Sequence, residues 1–150
     1  MIITEPKWKS YIVETTTPVF TPEQCQKIIE AGRKQPRQDA QVGSDTTKKG
    51  EVDTDTRIML RTNGNHFGFE GMQITELAQY TEYAEGGFYD WHVDNDVSFE
   101  KEPPVRKISM TLALSPDNEF EGGGLELMAE GKIVKPKQGH AIFFASFVRH

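Results

Sequence analysis

In the run YAEGGFYDWHVDND, residues 83–96, the side chains His92, Asp94 and Asp96 occupy alternate positions. Residues i and i+2 of an extended strand project to one face, so His92 and Asp94 leave the backbone together while Val93 points away. An imidazole and a carboxylate presented side by side are two of the three donors of a two-histidine, one-carboxylate facial triad. That arrangement grips Fe(II) from one side and leaves the remaining positions open for oxygen chemistry. The third donor has to come from elsewhere in the chain. The spacing is a short motif, and a solvated surface His–Asp pair produces it equally well. Asp96 shares the face, but the strand is expected to end near it and the triad does not require it. A calcium loop starting at Asp94 is excluded, because Phe99 stands where glycine is needed and Val105 where the closing carboxylate should be.

The elements expected to hold that strand can be traced on either side of it. From Ile74 onward the pattern has period two, interrupted at regular intervals by turn signals: ITELAQYTEYA, FYDWHVD, VRKISMTLAL, GLELM, KIVK and HAIFFASFV. Short alternating strands of this kind predict an antiparallel sandwich or barrel. Glu130-Gly131 and Pro136 to Gly139 are turns between strands, and Glu121 to Gly124 forms a glycine hinge that lets one strand approach another. Before the strands, Thr21 can cap a helix, Pro22 suits its first position and Gln24 completes a capping box. A helix is therefore predicted to about Gly32. Residues 36–56 are polar and without periodicity, which predicts a long loop and a candidate lid. The expected architecture is mainly β, a double-sheet domain with the N-terminal helix packed outside it.

Composition bounds the rest. A chain of 150 residues suffices for one domain, 1–150, and its 36% hydrophobic content is ample for a packed core. A net charge of −6 repels phosphate backbones, and Lys48-Lys49 is the one tight basic pair of the polar stretch, so nucleic acid is not an expected partner. No apolar run reaches the roughly 20 residues of a membrane span, and the N-terminus lacks the apolar core of a signal peptide. No membrane association is expected, and the protein reads as soluble and cytoplasmic. The lone cysteine, Cys25, lies in the helical pattern and reads as a small buried hydrophobe.

Taken together, Tyr83-x-x-Gly86-x-x-Tyr89-x-x-His92-x-Asp94, then Arg106 and the strand ISMTLALS, then GGGLEL, then a basic-Pro-x-x-Gly turn opening an apolar strand that ends in His150, resembles the prolyl-4-hydroxylase-like branch of the 2-oxoglutarate/Fe(II)-dependent dioxygenases. The resemblance implies a double-stranded β-helix, or jelly roll. It implies His92, Asp94 and His150 as iron ligands and as the catalytic centre. Tyr83 matches the tyrosine that in relatives hydrogen-bonds the cosubstrate, and Tyr89 would line the pocket beside the iron. The implied cofactors are Fe(II), 2-oxoglutarate as cosubstrate and ascorbate as reductant. The implied reaction is hydroxylation of an unactivated C–H bond, with peptidyl proline as the first substrate expectation, so the partner would be a protein, a peptide or a small molecule. Two other readings stay open: a jelly-roll binding module that has lost its chemistry, and a cupin-like metalloenzyme that does not use 2-oxoglutarate.

Of the remaining histidines, His140 follows the Gly139 turn and reads as a surface residue, and His66 reads as structural or substrate-facing. Relatives continue past the distal histidine to a Lys or Arg that pairs with the far carboxylate of 2-oxoglutarate, so the 150 residues are expected to be a C-terminally truncated form. Arg149, next to His150, should face the opposite side of the sheet. Arg106 and Lys107 open a strand whose inward residues are expected to be Ser109 and Thr111.

Overall fold

A computed structural model of the chain describes residues 10–36, 65–69, 72, 74, 77–94, 106–128 and 131–150. All but the first residue of the 36–56 loop lie outside this set, as do Lys48-Lys49, Asp96, Phe99 and Val105.

Among the described residues the fold is mainly β. The elements are β1 (Ile12–Glu14), α1 (Pro22–Arg33), a short 3-10 turn (Asn65–Phe67), β2 (Ile108–Leu112), β3 (Leu125–Leu127), β4 (Lys132–Val134) and β5 (Ala141–Ala145). The strands make two antiparallel sheets, one of order β1-β5-β2 and one the hairpin β3-β4. This arrangement is consistent with a jelly-roll-like fold.

Helix α1 starts as its sequence dictates. Thr21 Oγ1 accepts from the Gln24 amide at 3.3 Å, and Gln24 Oε1 accepts from the Thr21 amide at 2.8 Å, so the capping box satisfies two amides that the first turn leaves without partners. Cys25 and Ile29, one turn apart, are its buried residues, which agrees with the hydrophobe reading of Cys25. Gly32 continues that face for a packing reason: a Cβ there would lie 2.3 Å from the Tyr80 ring. Beside this contact Arg33 Nε donates to Glu82 Oε1 at 2.6 Å, and the Tyr80 hydroxyl donates to the same oxygen at 2.9 Å.

Strand β5 is buried at all five positions because it is the central strand and both of its faces are covered. A strand in that situation reads as a continuous apolar run rather than an alternation. On one face Ile142 and Phe144 pack with Ile12, Leu127, Val134 and Val148. On the other, Ala141 and Phe143 pack with Phe67, flanked by Val13, Val19, Ile108 and Leu112. The hairpin thus contributes Leu127 and Val134 to the same core face as Phe144.

Several sequence expectations need correcting. Strand β1 was not expected, since its three residues are too short to show a period, and its place comes from pairing with β5 at Ile12↔Phe144 and Glu14↔Ile142. The described parts of ITELAQYTEYA and FYDWHVD are extended or turn-like and form no regular strand. The reason for the second lies in its pairing: it is tied at single points, not along a ladder. Thr111 is exposed on β2 and not inward, whereas Ser109 is buried as expected and Arg149 faces out. His140 is half-buried rather than a surface histidine: its Nδ1 donates to the Thr15 carbonyl at 2.8 Å.

The turn that launches β5 depends on Gly139. Its φ is +78°, and a Cβ would sit 2.2 Å from the Phe20 carbonyl oxygen. Gly139→Ala is expected to cost about 1–3 kcal/mol for the left-handed backbone, with the carbonyl clash added. Urea unfolding at equilibrium measures the loss, and a variant as stable as the parent would contradict this account of the turn.

Candidate metal centre

The path to the site begins where β5 ends. After Ala145 the chain turns, with the Val148 amide donating to the Ala145 carbonyl at 3.0 Å, and continues as an extended tail to His150. The tail is clamped to the segment that carries His92. His92 and His150 exchange both backbone hydrogen bonds, at 2.9 and 3.0 Å, and the Asp94 amide donates to the Ser146 carbonyl at 3.0 Å. On the far side the Met128 amide donates to the Arg149 carbonyl at 3.0 Å, joining the hairpin to the same tail. Burial alternates from Trp91 to Asp94, with Trp91 and Val93 exposed and His92 and Asp94 turned inward. The i, i+2 geometry read from the sequence is therefore local, supplied by four residues rather than by a long strand.

The three side chains converge. His92 Nε2 lies 3.3 Å from Asp94 Oδ1, and His150 Nε2 lies 3.8 Å from the same oxygen. One ligand atom from each residue falls within 4.8 Å of the others, and this is the metal-competent group of His, Cys, Asp and Glu side chains among the described residues. Both imidazoles are oriented through their other nitrogen. His92 Nδ1 donates to the Asp90 carbonyl at 2.8 Å and His150 Nδ1 to the Val148 carbonyl at 2.9 Å. A backbone carbonyl can only accept, so each Nδ1 carries a proton, and in the neutral ring the lone pair is then on Nε2, aimed at Asp94 Oδ1. Two lone pairs and a carboxylate oxygen aimed into one small space repel one another unless a cation lies among them. The donor set therefore fits a divalent metal, with the outer hydrogen bonds that metal-binding histidines use to fix their tautomer.

Burial graduates across the site. The side chains of His92 and Asp94 are 22% and 18% exposed, whereas His150 is 6% exposed with its ring 4.5 Å from that of Phe144. Burial pushes the His150 imidazole below its ordinary basicity, partly offset by the Val148 carbonyl and by Asp94. Such a group stays neutral, the form that binds metal. The unfolded chain takes up this proton at the ordinary value of about 6.5 and the folded chain only below it, so acidification through that range favours unfolding. The metal-free protein is expected to lose stability between about pH 7.5 and 5.5, and His150→Ala should lack this component. Urea midpoints at the two pH values check it; an identical acid loss in both proteins would assign it to other groups.

The tyrosines differ. Tyr89 stands beside the site, its ring 4.2 Å from that of His92 in an edge-on arrangement. Tyr83 is 59% exposed. Desolvation, and the neighbouring Tyr89 after it, hold its hydroxyl above the ordinary phenol value. His66 takes no part: its Nε2 lies 2.9 Å from Ser10 Oγ, and its ring packs edge-on against Phe67. His140 stays at the opposite end of β5.

Sequence reasoning missed what supports Asp94. Its Oδ2 accepts from the Ser109 hydroxyl and lies 3.4 Å from the Arg106 guanidinium, while Ser109 Oγ is 2.9 Å from Ser146 Oγ. The available signal was a serine at a buried position of an apolar strand, in ISMTL and again just after AIFFA, where a hydroxyl needs a partner.

Residues 78–150, just under half of the chain, match the model of the 2OG-Fe(II) oxygenase superfamily. All three converging residues lie inside the matched segment. The match supports that superfamily and a dioxygenase function, and the family implies Fe(II) and 2-oxoglutarate. Comparison with curated proteins and with solved structures gave no significant match. No helix among the described residues is long and apolar enough to cross a membrane.

Proposed function

We propose that this chain is a 2-oxoglutarate- and Fe(II)-dependent dioxygenase on a double-stranded β-helix, with His92, Asp94 and His150 as the iron ligands. One observation carries the reading: the three donors meet within 4.8 Å inside the segment that matches the superfamily. Bound Fe(II) with 2-oxoglutarate supplies the oxidising chemistry, in which O2 converts a substrate C–H to C–OH while 2-oxoglutarate becomes succinate and CO2.

The chain's own residues provide the setting. Asp94 offers Oδ1 while Oδ2 is held back by Ser109 and Arg106. His150 is pinned by the Val148 carbonyl and backed by Phe144, which keeps water from one side of the site. His92 completes the face from the more open side, and Tyr89 forms a wall against its ring. Tyr83, exposed and near Tyr89, is assigned to the cosubstrate on the resemblance.

For substrate we take the prolyl-4-hydroxylase-like branch and peptidyl proline as the reading to test first, with ascorbate maintaining the reduced metal. The same segment exposes Phe88, and Trp91 and Val93 on the face turned away from the triad, an apolar surface that a peptide or a small molecule could meet outside the metal pocket. The net charge of −6 favours a basic target and disfavours nucleic acid. A cytoplasmic setting suits a reduced iron centre and a chain with a single cysteine.

The test is succinate formation from 2-oxoglutarate by the purified protein with Fe(II), ascorbate and air, without and with proline-containing peptides. Metal-dependent succinate is the expected result. Its absence, alongside failure to bind Mn(II), would refute the reading. Stimulation by peptides whether or not they contain proline would remove the prolyl assignment while keeping the class.

A further inference from the structure

We infer that Ser146 and Ser109 form a directed hydroxyl relay that positions Asp94 and restricts it to binding metal through one oxygen. The inference rests on the metal-centre reading above and goes beyond it to two residues that touch no ligand position themselves.

Donor counting sets the direction. Ser109 Oγ has one hydrogen, and Asp94 Oδ2 can only accept, so that hydrogen is committed to the carboxylate. Ser109 Oγ must then accept in its 2.9 Å contact with Ser146 Oγ, and Ser146 is the donor. The order is Ser146 to Ser109 to Asp94. Both serines are interior, Ser109 at 7% and Ser146 at 0% exposure, so water does not compete for these bonds. Hydroxyl chains in such surroundings polarise one another, which strengthens the final bond to the carboxylate.

The fold holds this relay at both ends. Ser109 pairs across the ladder with Phe144, so it faces the same side of the sheet as the residue that backs His150. Ser146 grips Asp94 a second time by accepting the Asp94 amide at 3.0 Å, and its own amide donates to the Lys107 carbonyl at 3.1 Å. The carboxylate plane is therefore fixed relative to β2 and β5 together. With Oδ2 engaged by Ser109 and Arg106, Oδ1 alone faces the two Nε2 atoms. A facial triad needs this, because a carboxylate binding through both oxygens would occupy a position that cosubstrate or oxygen has to use.

The experiment titrates Co(II) into metal-free protein and records affinity and the visible absorption spectrum for the parent, Ser109→Ala, Ser109→Thr and Ser146→Ala, with urea stability measured alongside. Ser109→Ala is expected to weaken Co(II) binding about 10- to 100-fold and to change the spectrum as Asp94 gains freedom to use both oxygens. Ser109→Thr, which keeps the hydroxyl, should match the parent. Ser146→Ala, which removes only the first donor, should fall between them, and it decides the matter should Ser109→Ala fail to fold. Parental affinity and spectrum in a folded Ser109→Ala, or in Ser146→Ala, would overturn the relay even if stability fell, since that is what a purely packing role predicts. A parent protein that binds no Co(II) would instead overturn the metal centre, and the relay with it.

Discussion

Alanine at His92 or at Asp94 is expected to leave a folded protein that no longer retains Fe(II) or Mn(II) and forms no succinate. The two side chains are 22% and 18% exposed, and neither belongs to the clusters that form the core, so the fold loses little. Two remaining donors on an open face cannot hold a labile divalent ion. The loss of affinity should exceed the roughly 10- to 100-fold typical of removing an outer hydrogen-bond partner. Calorimetric titration of Mn(II), with circular dichroism to verify the fold, reads the result directly. Parental affinity in either variant would end the assignment. His150→Ala should lose metal equally, but at a greater cost in stability, because that ring is 6% exposed and packed on Phe144. His140→Ala provides the contrast. Its imidazole is spent on the Thr15 carbonyl at the far end of β5, so metal affinity should hold while stability falls by the roughly 0.5–1.5 kcal/mol of one hydrogen bond.

The parts of this centre that were legible in the sequence are those fixed by local chemistry. His92 and Asp94 could be paired because alternation on an extended chain is a property of a few residues, and it survives although the segment forms no regular strand. The helix start could be read because capping is settled within Thr21 to Gln24. His150 could be placed only through the resemblance, since no spacing rule links it to His92; a turn and a pair of backbone hydrogen bonds across a long stretch of chain bring it there. The support of Asp94 was less legible still. Ser109 could be read as inward, but its partner Ser146 follows a strand whose continuous apolar run conceals which residue faces which side. Strand β1 escaped for a related reason: three residues carry no period, and pairing with β5 decides their conformation. His140 misled because a histidine after a turn looks solvated, and only the tertiary contact with Thr15 shows otherwise.

The continuous burial of β5 gives a second large effect that separates scaffold from site. Phe143 and Phe144 are adjacent, similarly buried and on opposite faces, Phe143 against Phe67 and Phe144 against Leu127, Val134 and the His150 ring. Removing either ring from a packed interior should cost about 3–5 kcal/mol, a large share of the total stability of a domain this size. Equilibrium urea unfolding should therefore give nearly equal losses for Phe143→Ala and Phe144→Ala. Their consequences for metal should differ. The cavity left at Phe144 opens beside the imidazole of His150 and frees it to leave the position in which Nε2 meets Asp94 Oδ1, whereas the cavity at Phe143 lies behind the sheet. At a temperature where both variants are folded, Phe144→Ala is expected to bind Mn(II) about 10-fold more weakly than Phe143→Ala, the lower end of what an outer partner contributes. Phe144→Leu, which refills most of the space, should recover both stability and affinity in part. Equal metal affinities in two equally destabilised variants would mean that His150 is held by its Nδ1 bond to the Val148 carbonyl and its backbone bonds to His92 alone, and that the core face of β5 has no part in building the centre.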